Sequence, residues 1–273
     1  MWEMLSYGFM QRALVAASLI GLVCAAVGVF VMLRGLSLVG EGTAHAAFAG
    51  VALAFLIGAP PLPFAILFGL VTVWTTGWLQ ERGRLKVDAA IGVIYTLTMA
   101  LAVLFIGLMK EAHPQVYGYL FGNLLSVTPD DVLRIAALAA VILVVLTLFF
   151  KEFHFISFDQ EMAEASGVPA RPLFFLLLGL VALTIVVSMK AVGAILVVAL
   201  LVTPAAAAQQ WATTIRAMMI SAIAIGLFSA WAGVTLSWRF DIASGATIIL
   251  LVMAIFFLSV LFSPKRRSAR PTA

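Results

Sequence analysis

The chain has 273 residues, of which 64% are hydrophobic and only 10% are charged. Ordinary soluble domains carry about 25% charged residues, so this composition excludes a typical soluble protein and predicts an integral membrane protein. The net charge of +4 comes from basic residues that fall between apolar runs, which indicates membrane topology rather than nucleic-acid binding. The single cysteine, Cys24, excludes an intramolecular disulfide.

Nine apolar runs are long enough, or nearly so, to cross about 30 Å of hydrocarbon at about 1.5 Å per helical residue. They lie at Phe9–Leu33, Glu41–Gly58, Leu62–Gln80, Ala89–Met109, Val132–Phe150, Pro172–Met189, Val192–Gln209, Ala217–Leu236 and Ile242–Phe262. The sixth and seventh runs, divided at Met189 and Lys190, are almost continuous, so eight spans plus a re-entrant segment is an alternative. The sequence predicts an all-α, polytopic helical membrane fold with a single transmembrane domain over residues 1–273.

The distribution of basic residues predicts the orientation of the spans in the cytoplasmic (inner) membrane. With the N-terminus outside, eleven of the sixteen Lys and Arg residues lie on the inner side: Arg34, Arg82, Arg84, Lys86, Lys151, Arg171, Arg216, Lys265, Arg266, Arg267 and Arg270. Because cytoplasmic loops are enriched in Lys and Arg, we expect the C-terminus and its basic tail, residues 264–273, to lie inside.

Two predicted outer connections carry distinct signals. The prolines in 59–63 predict a tight turn, since proline ends one helix and suits the first turn of the next. The segment Glu111–Asp131 is too polar to face lipid and predicts a partly structured loop or a short helix. Its histidine, His113, is interpreted as an ordinary loop residue.

An inner connection, Glu152–Arg171, predicts a short helix outside the bilayer. Ser157 and Gln160 have the spacing of a capping box, and Asp159, Gln160 and Glu161 favour a helix N-terminus. Gly167 suits the position just after the helix, and Pro169 ends the element. The predicted helix covers about Phe158–Ser166, within a connecting element at 157–167. A helix of two turns is marginal alone, so we expect it to dock onto something.

Glu41 and His45 are two ionisable residues at the start of an apolar run, where placing charge in the membrane costs free energy. Residues four apart lie on one face of a helix, so the carboxylate and the imidazole can reach one point. Small residues surround them and would allow another backbone to approach closely. From the residues alone, the pair is a metal site, an ion pair or hydrogen bond that ties two helices together, or a pair exposed at the inner interface.

Motifs for catalysis are missing from the sequence. It has no Gly-x-x-x-x-Gly-Lys-Ser/Thr loop for ATP phosphates, no Cys-x-x-Cys, no His-Glu-x-x-His and no Ser-His-Asp grouping. Three histidines make a multi-histidine catalytic metal site implausible. The chain is therefore interpreted as a transport protein, not an enzyme, and we expect no permanently bound cofactor.

Four motifs together resemble the membrane subunit of zinc/manganese-type ABC importers. They are Ser37-Leu38-x-Gly40-Glu41-x-x-x-His45-Ala46, Phe158-Asp159-x-Glu161-x-Ala163-x-Ala165-x-Gly167, Lys190-Ala191-Val192-Gly193-Ala194-Ile195-Leu196-Val197 and Leu200-Leu201-Val202-Thr203-Pro204-Ala205-Ala206. No single motif is specific, but their order and spacing match the family over nearly the whole chain.

The resemblance implies an ATP-driven permease that carries zinc or manganese by alternating access. Two membrane subunits, here two copies of this chain, would pair with cytoplasmic ATP-binding subunits and receive metal from an extracytoplasmic metal-binding protein. Glu41 and His45 would hold the passing metal. The family more usually has Asp at the position of Glu41, and glutamate keeps the oxygen ligand but adds a methylene group.

The resemblance also implies that the inner helix is the coupling helix, which fits a groove in the ATPase. Its residues would be Asp159, Gln160, Glu161, Glu164 and Gly167. A solvated acidic loop is the commoner form of such a run, but capping at both ends of so short a helix favours coupling. Two alternatives for the whole chain remain: a secondary metal or proton-coupled carrier that works alone, and a membrane anchor for other subunits.

Overall fold

The protein is a bundle of long helices. The computed structural model describes residues 6–83, 87–109 and 114–264, in which all regular structure is helical and no strand occurs. The α-helices of these ranges are α1 (Gly8–Leu33), α2 (Ser37–Ile57), α3 (Pro61–Gly83), α4 (Val87–Leu108), α5 (Pro114–Phe121), α6 (Pro129–Leu148), α7 (Phe150–Phe158), α8 (Gln160–Ala165), α9 (Ala170–Val192), α10 (Ala194–Gln209), α11 (Ile215–Phe240) and α12 (Ser244–Leu261), with a 3-10 helix at Leu124–Ser126. His113 and all but the first residue of the predicted basic tail lie outside the described residues.

Eight of the described helices are long and apolar enough to cross a membrane: α1, α2, α3, α4, α6, α9, α11 and α12. The prediction of a polytopic helical membrane protein is therefore confirmed. The remaining apolar run forms α10, which has 16 residues and at about 1.5 Å per residue is roughly 24 Å long. Eight spans plus one shorter apolar segment describe the fold better than nine full spans.

The break between α9 and α10 lies at Gly193, not at Met189 and Lys190 as the sequence suggested. Gly193 has φ 82° and ψ 156°, a conformation that is open essentially only to glycine. A side chain here would also collide with the backbone of Phe121 and Gly122 at the end of α5. Lys190 stays in the last turn of α9 because its flexible stem carries the ammonium group to Asp131.

The core of the bundle is formed mainly by α1, α2, α9 and α10. In α1 and α9, 78% of the most apolar 18-residue stretch is buried, against 17% in α12. Small residues allow close helix contact, since a side chain on Gly28 of α1 would overlap the Leu201 carbonyl of α10. Helix α2 packs mainly against α3 and α4, and it also contacts α9 and α10.

The predicted outer connections form as the sequence indicated. Helix α2 ends at Ile57, Gly58 takes a left-handed conformation with φ 70°, and α3 begins at Pro61. The segment predicted as a loop or short helix contains α5 and the 3-10 helix. Helix α6 begins at Pro129, three residues before the predicted run, because Thr128 and Asp131 form a capping box.

Candidate metal-transport site

Glu41 and His45 lie one turn apart near the start of α2. The opposite sides of this part of the helix are packed in the bundle, where Val39, Thr43 and Ala47 are buried. Leu38 and Glu41 are exposed, and His45 is half-buried. We call Leu38, Glu41 and His45 the α2 strip. The predicted shared face of Glu41 and His45 is therefore the face that the bundle leaves uncovered.

Two residues of the α2 strip, Leu38 and Glu41, border an open groove between α2 and α4. The groove has a volume of about 190 Å³ and is lined by Leu38, Glu41, Gly42, Ile91, Gly92 and Tyr95. Its small residues, Gly42 and Gly92, leave room beside the Glu41 carboxylate. The groove can admit a small ion together with water, but it is not a closed cage.

Tyr95 links the two candidate ligands. Its ring meets the His45 ring edge to face, with centroids 4.9 Å apart and planes at 83°. The same tyrosine lines the groove beside Glu41. An aromatic contact of this geometry restricts the rotation of the imidazole. Tyr95 is therefore the residue that contacts His45 and also lines the groove beside Glu41.

One ring nitrogen of His45 lacks a hydrogen-bond partner. Nδ1 is buried and no donor or acceptor among the described residues reaches it. Leaving a buried polar group unpaired costs about 1–3 kcal/mol, and such orphan groups in native proteins call for an explanation. A ligand or water bound during function would account for an imidazole kept in this state.

A single copy of the chain offers too few ligands for a tight metal site. Among the residues that the structure describes, no three His, Cys, Asp or Glu side chains lie close enough together to hold a metal ion. Glu41 and His45 supply one oxygen ligand group and one nitrogen ligand. A complete coordination shell needs water or groups from another chain.

The predicted coupling residues are close together, but the helix differs from the prediction. Helix α8 begins at Gln160, and its N-cap is Asp159, whose Oδ1 accepts a hydrogen bond from the Met162 amide at 2.8 Å. The predicted capping box from Ser157 to Gln160 is wrong. Ser157 belongs to α7, where its hydroxyl donates to the Phe153 carbonyl at 2.6 Å.

The cause of this difference lies in α7. Phe153 and Ile156 are fully buried, so packing extends α7 as far as Phe158. Asp159, with an extended backbone, then separates the two helices. The predicted end of the short helix is confirmed: Gly167 has φ 84°, and its amide donates to the Glu164 carbonyl at 3.0 Å.

The exposed face of α8 combines acidic and apolar side chains. Glu161 and Glu164 are exposed, and so are Phe158 and Met162, at 71% and 57%. Ala163 is fully buried and fixes α8 on the bundle. Large exposed apolar side chains beside charged groups are characteristic of a protein–protein contact.

Eight membrane-length helices define a polytopic helical membrane protein, and an ionisable residue beside an open groove is typical of the transporter class. This class agrees with the importer-like motifs found in the sequence. The chain belongs to the ABC 3 transport family, whose family model matches residues 6–263.

Similar proteins cover nearly the full chain. The manganese transport system membrane protein MntC of Halalkalibacterium halodurans is 36% identical over 264 residues, which are 97% of this chain and 90% of MntC. The manganese import system permease protein ScaB of Streptococcus gordonii is 35% identical, over 96% of this chain and 94% of ScaB. A chain in the structure of PsaBC from Streptococcus pneumoniae in complex with Fab superposes with a TM-score of 0.85 at 35% identity, covering 96% of this chain and 94% of that one.

Sequence reasoning missed Tyr95. No local pattern marks this residue, because it stands in an ordinary apolar run and comes to His45 only through the packing of α4 on α2. Sequence reasoning also treated Arg34 only as a topology signal, whereas the structure places it against the α7–α8 junction.

Proposed function

We propose that this chain is the membrane subunit of an ATP-driven importer and that its cargo is a divalent transition-metal ion, with manganese favoured over zinc. The observation that carries the proposal is the α2 strip, in which the Glu41 carboxylate lines an open groove and the His45 imidazole lies one turn further along, against Tyr95 of the same groove. The names of MntC and ScaB, both given for manganese transport, support manganese. A mixed oxygen and nitrogen ligand set suits Mn²⁺ and also admits Zn²⁺.

A second copy of the chain would complete the site. Glu41 is exposed on a membrane-spanning helix, and a carboxylate facing lipid is costly. Covering the α2 strip with the same strip of a second copy would remove that cost and bring two carboxylates and two imidazoles together. Such a site would still be open to water, which suits a passing ion that must leave as readily as it enters.

The exposed face of α8 is the proposed docking surface for a cytoplasmic ATP-binding subunit. Its acidic and apolar side chains, Phe158, Glu161, Met162 and Glu164, are available for this contact. The orientation predicted from the basic residues, with the N-terminus outside, puts α8 on the cytoplasmic side of the inner membrane. An extracytoplasmic metal-binding protein would deliver the ion on the opposite side.

Uptake of radioactive manganese by cells that depend on this chain tests the assignment of the site. Glu41→Gln and His45→Ala should each abolish uptake while the protein level stays normal. Glu41→Asp should retain part of the uptake because the oxygen ligands remain. Asp130→Asn is the matched control, since Asp130 is an exposed carboxylate on α6, away from the groove. Full uptake in both Glu41→Gln and His45→Ala would refute the assignment.

Competition between unlabelled Mn²⁺, Zn²⁺ and Fe²⁺ in the same cells identifies the cargo.

The energy source is tested in vesicles, where uptake should require ATP and an ATP-binding partner. Uptake driven by a proton gradient without that partner would instead support a stand-alone carrier. Co-purification of an ATP-binding subunit, weakened by charge reversal at Glu161 and Glu164, would support the docking surface.

A further inference from the structure

Arg34 occupies the junction between the first two spans. It is the C-cap of α1, and α2 begins three residues later at Ser37. Gly35, with φ 66°, and Leu36 donate their amides back to carbonyls in the last turns of α1, which fixes the turn. Arg34 is half-buried and points its guanidinium away from both spans, toward α7 and α8.

The Arg34 guanidinium contacts three successive elements at once. Nη1 donates to the Ile156 carbonyl in the last turn of α7 at 2.6 Å, and Nη2 donates to Oε1 of Gln160, the first residue of α8, at 2.8 Å. The group also lies 4.5 Å from the ring centroid of Phe174 near the start of α9. A planar fork that bonds two acceptors and stacks on a ring is a role that lysine cannot fill.

The two hydrogen bonds fall on either side of Asp159, where α7 gives way to α8. The Ile156 carbonyl is one of the last in α7, and such carbonyls lack partners within their own helix. Arg34 satisfies it and places positive charge at the C-terminal end of α7, where the helix dipole favours it. The side chain therefore fixes the angle between α7 and α8 as well as their distance from the α1–α2 turn.

The same turn leads directly into the α2 strip. Glu41 follows Arg34 by seven residues, and α2 is continuous from Ser37 through His45. From Ser37 to Glu41 the helix rises by roughly 6 Å. A displacement of α8 that moves Gln160 therefore pulls on the residue that fixes the start of α2. Packed side chains, hydrogen bonds and rigid helices of this kind can carry coupling between distant sites.

We infer that Arg34 is a positioning residue that connects the movement of α8 to the position of Glu41 and His45, so that ATP hydrolysis and metal release stay coupled. This inference rests on the proposed function. It differs from a merely structural role, in which Arg34 stabilises the fold and the transport stoichiometry is unaffected by its loss.

The test uses the chain reconstituted in vesicles with its ATP-binding partner, and it measures Mn²⁺ transported per ATP hydrolysed. Arg34→Lys and Gln160→Leu should each lower this ratio about fivefold or more, the scale of typical coupling between sites, while hydrolysis continues. Lys151→Gln is the control, since Lys151 is exposed on α7 and carries the same charge. An unchanged ratio in Arg34→Lys and Gln160→Leu would overturn the inference.

Hydrogen exchange on the purified chain separates this inference from the proposed function. Arg34→Lys should speed exchange of amides in α8 and in the first turns of α2 together, whether or not the chain transports manganese. Acceleration in α8 alone would refute the connection to α2. Failure of the wild-type complex to transport any metal would instead count against the proposed function. The exchange measurement would still test whether Arg34 connects α8 to α2.

Discussion

The contact between Gly122 and Gly193 offers a sharp test of the fold. Each glycine has a positive φ, 71° and 82°, and the backbone of one lies where the side chain of the other would stand. Gly193→Ala forces alanine into a conformation that costs about 1–3 kcal/mol, and the collision with the Phe121 and Gly122 backbone adds about 1–3 kcal/mol of overpacking. We expect Gly193→Ala to lower the free energy of unfolding by about 2–6 kcal/mol.

The thiol of Cys24 can serve as the probe of unfolding in this measurement. Cys24 is the single cysteine of the chain and is fully buried, so a thiol-reactive dye labels it only as the protein unfolds. On heating in detergent, the labelling midpoint of Gly193→Ala should fall by roughly 5–20 °C. Gly118→Ala is the matched control, because nothing lies near its missing side chain and helix α5 tolerates alanine there.

A Gly193→Ala midpoint within the error of Gly118→Ala would refute the reasoning. It would mean that the α9–α10 break does not need the glycine conformation and that α5 does not pack backbone to backbone against it. Gly122→Ala provides a second measurement of the same contact from its other side, and it should destabilise the protein in the same range.

Three further predictions follow from single contacts. Tyr95→Phe keeps the edge-to-face contact with His45 and should retain manganese uptake, whereas Tyr95→Leu should lower uptake about two- to tenfold, which corresponds to an aromatic contact of about 0.5–1.5 kcal/mol; equal loss in both variants would assign the effect to the hydroxyl instead. Asp159→Ala removes the N-cap of α8 and should destabilise that helix by about 1 kcal/mol, seen as faster exchange of the Met162 amide, whereas Asp159→Asn should not. Asp131→Ala removes a capping box and the 2.6 Å contact with the half-exposed Lys190, and it should lower stability by about 1–3 kcal/mol in the Cys24 labelling assay. Asp130 is the exposed neighbour, and Asp130→Ala should change the free energy of unfolding by no more than about 0.5 kcal/mol. An equal effect of the two substitutions would contradict a stabilising role for the Asp131 contacts.

Much of the fold could be predicted from the sequence because hydropathy over 20 residues is a strong local signal. The spans, the proline turn before α3 and the placement of Glu41 and His45 on one helix follow from local spacing alone. The end of α8 at Gly167 was also predictable, since a glycine followed closely by proline is a reliable helix stop. These features depend on near neighbours in the chain.

Most differences from the sequence predictions involve contacts between distant residues. Ser157 had the spacing of an N-cap, but burial of Phe153 and Ile156 extends α7 past it, and Asp159 takes the role. Lys190 had the position of a span end, but its ammonium group donates a hydrogen bond to the Asp131 carboxylate, 59 residues away. Tyr95 carries no motif and contacts His45 only after α4 packs on α2. Local spacing cannot reveal such partners.

The two-ligand α2 strip has a genetic consequence. In the proposed symmetric pair, a single substitution in the gene changes the transport path twice, because each copy contributes the same position. A cell that makes both normal and altered chains would contain mixed pairs with three of the four ligand groups. Cells that co-express wild-type and His45→Ala chains should therefore contain mixed pairs whose manganese uptake lies between those of the two pure pairs. Covalently linked dimers with one altered copy would allow the uptake by mixed pairs to be measured alone.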